Sequence, residues 1–257
     1  MNPPALAGRR VVVTRPAGQV AHIAALIRAA GGEPVLFPAV EILDVQDSQP
    51  LLALIERLDR FDLALFVSAN AVDRALPMVR ARRAWPAGLR VATVGRGSER
   101  ALQRHGFAAV IAPRERFDSE ALLDLPELKQ VAGKRVVIFR GDGGRELVGD
   151  TLRARGATVE YAECYRRGRP KSDVAPLLAL WERRELDAFT VTSSEGLANL
   201  VDLLGEAGGG WFRQTPLFAP HERIAAAARA AGVRTVVLTG PGDEGLVAGM
   251  SDFFAKV

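Results

Sequence analysis

The stretch Gly8–Gln19, GRRVVVTRPAGQ, is answered at Gly133–Gly144 by GKRVVIFRGDGG, 125 residues later. The offset holds beyond this pair. Asp62–Val72 (DLALFVSANAV) is matched by Asp187–Leu197 (DAFTVTSSEGL), and Leu89–Gly95 (LRVATVG) by Gln214–Pro220 (QTPLFAP). Arg104–Pro113 (RHGFAAVIAP) is matched by Arg229–Gly240 (RAAGVRTVVLTG), with one residue slipped in. A constant spacing over four segments reads as an internal repeat.

Each half repeats one rhythm of β-branched run, turn and helix-period stretch. Strands are expected at Val11–Thr14, Val35–Pro38, Leu63–Ser68, Val91–Gly95 and Ala109–Ala112. The second half supplies Val136–Arg140, Val159–Tyr165, Ala188–Ser193, Leu217–Pro220 and Val236–Thr239. Strands alternating with helices predict parallel sheets covered on both faces. Five strands per half fit two flavodoxin-like α/β domains.

The 257 residues, 48% hydrophobic and 25% charged, suffice for a sizeable core in one large or two ordinary domains. Apolar runs are strand-sized and none reaches membrane length. The opening MNPPALAGRR lacks a signal-peptide apolar region. One cysteine, Cys164, allows no internal disulfide, which favours the cytoplasm. The net charge of +4 fits a solvated basic surface, an acidic small ligand or nucleic acid. Nucleic acid ranks last, because aromatics are only 6% and none is interleaved with basic residues as a stacking platform.

Ligands of open parallel sheets bind beyond the carboxyl ends of the strands, where helices begin. The residues there are Thr14-Arg15-Pro16 and their counterparts Phe139-Arg140-Gly141, Ser68-Ala69-Asn70 and Ser193-Ser194-Glu195, and Gly95-Arg96-Gly97-Ser98 and Pro220-His221-Glu222-Arg223. Ser, Asn and Gly at such places also serve as ordinary helix caps. An arginine repeated at the same strand end, Arg15 and Arg140, asks for more than capping. Gly240–Gly245 (GPGDEG) has dinucleotide-fingerprint spacing, but the required acidic residue about 20 positions on has no strand to sit on, so a helix start is the better reading. Arg140–Arg145 (RGDGGR) lacks the Lys-Ser/Thr of a P-loop. His22, His105 and His221 share no metal-ligand spacing, and Ser68 and Ser193 lack the Gly-x-Ser-x-Gly frame of a nucleophile elbow.

The ordered set VVVTRPAGQ, FPAVEI, FVSANAV, VATVGRGSERAL and ECYRRGRP resembles the uroporphyrinogen-III synthase family from Arg9 to about Leu246. The resemblance implies a discontinuous first domain of residues 1–38 and 169–257, an inserted second domain of 44–163, and linker strands at 39–43 and 164–168. It also implies a cytoplasmic, monomeric enzyme without metal or organic cofactor. Its activity would be closing hydroxymethylbilane into uroporphyrinogen III, with inversion of ring D and loss of water. The eight substrate carboxylates would give the basic balance a cause. By this resemblance Tyr165 is the catalytic residue. Arg15, Ser68, Asn70, Gly95, Arg96, Ser98, Arg140, Gly141, Arg145, Ser193, Ser194 and His221 are candidate substrate-binding residues. The chain departs from the family pattern at Pro220-His221-Glu222-Arg223, where Gly-x-x-Thr is usual. The alternative is a non-catalytic two-domain clamp for an acidic small molecule.

Overall fold

The computed structural model describes residues 5–144 and 146–256. The chain forms two compact units, one of Met1–Glu41 with Gly168–Val257 and one of Ile42–Arg167. The chain opens with β1 (Arg10–Val13), α1 (Ala21–Ala29) and β2 (Glu33–Leu36). There follow β3 (Glu41–Leu43), α2 (Gln49–Ile55), β4 (Leu63–Phe66), α3 (Ala69–Arg80), β5 (Arg90–Thr93), α4 (Arg96–Arg104) and β6 (Val110–Ile111). After them come α5 (Ser119–Leu123), α6 (Pro126–Lys129), β7 (Arg135–Gly141), α7 (Leu147–Ala154) and β8 (Thr158–Gly168). The last third adds α8 (Ala175–Glu182), β9 (Ala188–Thr190), α9 (Ser194–Gln214), β10 (Leu217–Ala219), α10 (Glu222–Ala230), β11 (Val236–Leu238) and α11 (Gly242–Phe254).

The first unit's sheet has the order β2-β1-β9-β10-β11, with every neighbour parallel. The second has the order β3-β8-β7-β4-β5-β6, and its ladders from β8 to β6 are parallel. Five strands were expected per sheet; the sixth is β3, which adds beside β8. Period-two alternation explains why both faces of each sheet are covered. Along β4, Ala64 and Phe66 join one apolar cluster while Leu63 and Leu65 join the other. Along β1, Val12 faces one cluster and Val11 and Val13 the opposite one. Such strands, wholly buried, read as the continuous apolar runs that mark them in the sequence.

Tyr165 lies inside β8. The ladder of β7 and β8 pairs Arg140 with Glu163 and then Gly141 with Tyr165, so β8 carries one extra residue, Cys164. This bulge re-aims consecutive side chains, and Cys164 and Tyr165 are both buried in one cluster. The Cys164 thiol donates to the Arg140 carbonyl at 3.2 Å, and burial pushes its pKa up to about 12.

That shift predicts a pH effect. The folded thiol stays neutral, whereas the unfolded one ionises above about pH 8.5, so stability is complete below that pH and falls between about 8.5 and 12. Cys164 should add about 1.4 kcal/mol of loss per pH unit there. Denaturant titration of the native chain and Cys164→Ala should therefore show a steeper alkaline decline in the native chain. A thiol reagent at pH 8 should label Cys164 only on unfolding; labelling of the folded chain would contradict this burial.

Candidate active site

In the second unit, the carboxyl ends of β4, β5, β7 and β8 gather most of the polar residues singled out above. Ser68 is the N-cap of α3, and its Oγ accepts the Ala71 N–H at 3.1 Å. Asn70 follows in the first turn, half-buried. Gly95 caps α4 in extended conformation, and neither Gly95 nor Gly97 has any heavy atom within 4 Å of where a Cβ would stand. The α4 N-terminus is therefore open, with backbone N–H groups and the positive end of the helix dipole available to an anion. Arg96 is exposed, with its guanidinium carbon 4.4 Å from the centre of the Phe117 ring, and it makes no ion pair among the described residues. Ser98 is buried at 6% exposure.

Tyr165 has no solvent-exposed surface and is among the largest fully buried side chains. Its hydroxyl lies 3.1 Å from Ser68 Oγ and accepts from Arg167 Nη2 at 3.3 Å. The ring lies flat against the backbone at Gly141, where a Cβ would come within 2.6 Å of Cε2 and 2.7 Å of Cζ. Gly141 is thus needed for lack of a side chain, not for its φ. Arg140 is only 5% exposed. Its Nε donates to the carbonyls of Gly141 and Gly143, Nη1 pairs with Glu146 at 2.8 Å, and the guanidinium covers the Tyr161 ring. Arg140 therefore organises its own loop instead of presenting a free cation. The neighbouring Tyr161 hydroxyl and the Arg140 guanidinium hold the Glu146 carboxyl below the usual carboxylate range. Arg145 lies outside the described residues.

In the first unit, the equivalent strand ends carry Arg15, Ser193, Ser194 and His221. Arg15 Nη2 pairs with Asp243 at 2.5 Å, and Asp243 is itself 7% exposed. Arg15, like Arg140, is committed within its own unit. Asp243 belongs to the GPGDEG turn, so that motif supplies the start of α11 and an anchor for Arg15. Ser193 caps α9, accepting the Gly196 N–H at 2.9 Å. Ser194 Oγ is buried without a protein partner. His221 is exposed and takes the N-cap position of α10 with no side-chain cap bond.

Two residues at these strand ends went unnoticed in the sequence. Arg167, the second arginine of ECYRRGRP, touches Tyr165, and Asp142 Oδ1 accepts the Arg167 backbone N–H at 3.0 Å. The tandem arginines beside the tyrosine were the one visible signal. Among the described residues no group of three or more His, Cys, Asp or Glu side chains is placed to hold a metal.

The family model described as uroporphyrinogen-III synthase HemD matches residues 21–248. The chain belongs to the uroporphyrinogen-III synthase family. The chain is 36% identical over 228 residues to the uroporphyrinogen-III synthase of Escherichia coli K12, covering 86% of this chain and 91% of that one. It is 30% identical over 203 residues to that of Synechococcus elongatus, covering 77% and 76%. Among solved structures it resembles in fold a mutant uroporphyrinogen III synthase of Thermus thermophilus, with TM-score 0.62, 19% identity and coverage of 97% and 100%. The uroporphyrinogen-III synthetase of Helicobacter pylori gives TM-score 0.56 at 12% identity, covering 96% and 99%. Membership of this synthase family makes the chain an enzyme of tetrapyrrole biosynthesis and disfavours the non-catalytic clamp.

Proposed function

We propose that the chain cyclises hydroxymethylbilane to uroporphyrinogen III, with the substrate held at the strand carboxyl ends of the second unit. The family match over residues 21–248 carries the reaction, and the open α4 N-terminus supports the place together with Arg96, which makes no ion pair among the described residues. The reading extends to the architecture. Apart from the added β3, the second unit's order becomes that of the first if its count starts at β7, as expected of two flavodoxin-like copies, one interrupted and one inserted. Among the described residues no helix is long and apolar enough to cross a membrane, which fits a cytoplasmic enzyme, here proposed to act as a monomer without cofactor.

Alkyl carboxylates with pKa near 4.3 are ionised at neutral pH, and folding eight of them round one ring costs about 1 kcal/mol per pair at 4 Å in water. Arg96 and the N-termini of α3 and α4 offset that repulsion. Loss of the hydroxymethyl oxygen leaves an azafulvene, which ring D must attack through its substituted carbon, so the protein's main task is orientation. Incubation with freshly made hydroxymethylbilane and chromatographic separation of the isomers tests this. Isomer III should form, and should still form after exhaustive chelation and gel filtration; isomer I alone would overturn the reading.

The arginines divide in two by their partners. Arg96→Gln should raise KM about fivefold to tenfold with kcat little changed, and that KM should rise with ionic strength, because exposed charges are screened over about 8–10 Å near 0.1 M salt. Arg15→Gln and Arg140→Gln should lower the melting temperature more than they move KM, because the first leaves the buried Asp243 unpaired and the second disrupts a buried guanidinium that ties its own loop together. Steady-state kinetics and melting curves on the three variants check the division.

A further inference from the structure

The buried hydroxyl of Tyr165 poses a problem of access. With no exposed surface, this residue cannot touch a substrate in the arrangement described, yet its oxygen sits in an ordered chain of polar contacts. The direction of that chain follows from which groups can donate. Arg167 has only N–H donors, so the Tyr165 oxygen accepts from it. The phenol hydrogen then needs an acceptor, and Ser68 Oγ is the one within reach; leaving a buried donor unpaired would be costly. Ser68 Oγ already accepts from Ala71 N–H. With both acceptor positions used, its own hydrogen is left over, on a side chain that is only half-buried and stands at the carboxyl end of β4.

We propose that Ser68 is the catalytic residue that donates to the departing oxygen, that Tyr165 supplies it, and that Arg167 is a positioning residue acting through Tyr165. This rests on the placement of substrate at the strand ends given above. The protons balance. The hydroxymethyl C–O bond breaks with its electron pair on oxygen, and Ser68 donates its proton so that water leaves. Ser68 takes the Tyr165 proton, and the Arg167 guanidinium faces the phenolate so formed. The pyrrole nitrogen of the ring that becomes the azafulvene loses one proton, which refills the relay. Asp142 fixes the Arg167 backbone, so the cation stays above the tyrosine ring, 5.7 Å from its centre.

The test uses Ser68→Gly, because glycine is tolerated at an N-cap and removes the hydroxyl at little cost to α3. Ser68→Gly, Tyr165→Phe and Arg167→Gln should each lower kcat, by about 10²-fold for the first two and about tenfold for the third, with KM within about threefold. Tyr165→Phe with Arg167→Gln should be no slower than Tyr165→Phe alone, because Arg167 acts only through the phenol oxygen. Arg167→Lys, which keeps a donor, should recover most of the loss of Arg167→Gln. Normal kcat in folded Ser68→Gly would overturn the proposal, as would multiplicative losses in the double variant or an Arg167→Gln effect confined to KM. A wrong substrate placement shows up separately, as an unchanged KM in Arg96→Gln.

Discussion

Gly245→Ala should unfold the first unit about 6–12 °C earlier, a loss of about 3 kcal/mol, which is large for one methyl group. A Cβ at Gly245 would overlap the carbonyl carbon and oxygen of Gly240 and stand 2.8 Å from its Cα. These are backbone atoms, so no rotamer change relieves the clash, and α11 must back away from the end of β11. Gly245 lies in the second turn of that helix, where alanine would otherwise gain up to about 1 kcal/mol from propensity. The predicted sign therefore depends wholly on the contact. Gly210→Ala provides the control: that glycine is also helical but has nothing within 4 Å of the added atom, so it should be neutral or mildly stabilising. Moving α11 also pulls Asp243 from Arg15. Melting curves of both variants decide the matter, and a Gly245→Ala protein as stable as the parent would show that Gly240 and Gly245 do not pack as described.

Tyr165→Ala should cost about 3–5 kcal/mol of stability in the second unit, the usual range for emptying a large aromatic site in a core that relaxes only in part. Tyr165→Phe keeps the ring against Gly141 and should cost only about 1 kcal/mol, the value of a buried hydrogen bond. Gly141→Ala attacks the same contact from the other side. The ring must shift, which separates its hydroxyl from Ser68, so turnover should fall even in protein that remains folded. Combining Gly141→Ala with Tyr165→Leu should cost clearly less than the sum of the two changes, because the smaller side chain leaves room for the methyl. Denaturant titrations of these variants measure the coupling directly, and simple additivity would remove the close approach from the account.

How much of this could be read in advance depended on the range of each signal. β-Branched runs such as Val11–Val13 and apolar ones such as Leu63–Phe66 announce buried strands because the cause is local and repeated. Ser68 and Ser193 could be placed at strand ends for the same reason, and both proved to be helix caps. The repeated arginines were legible as a pair but not in their partners. Arg140 turns back on the carbonyls of its own loop, while Arg15 reaches Asp243 near the other end of the chain, and composition carries neither fact. The bulge at Cys164 escaped notice because one inserted residue leaves no periodic trace, yet it brings Tyr165 opposite Gly141. Nor did the break in α9 show: Gly205 leaves helical geometry at φ 52° and ψ −150°, one glycine among several in that segment.

The insertion of one unit within the other has a consequence for synthesis on the ribosome. β1 ends at Val13, and β9, its neighbour on one side, begins at Ala188, so at about 5–20 residues per second the first strand waits on the order of 10–40 s for that partner. The stretch Ile42–Arg167 is synthesised just before β9, and its first and last strands, β3 and β8, lie side by side in one sheet. The chain is thus expected to mature from the inside outward: the later-starting unit closes first, while β1 and β2 remain an unsealed apolar fragment. During that interval nascent-chain chaperones and proteases would meet this protein at its first forty residues.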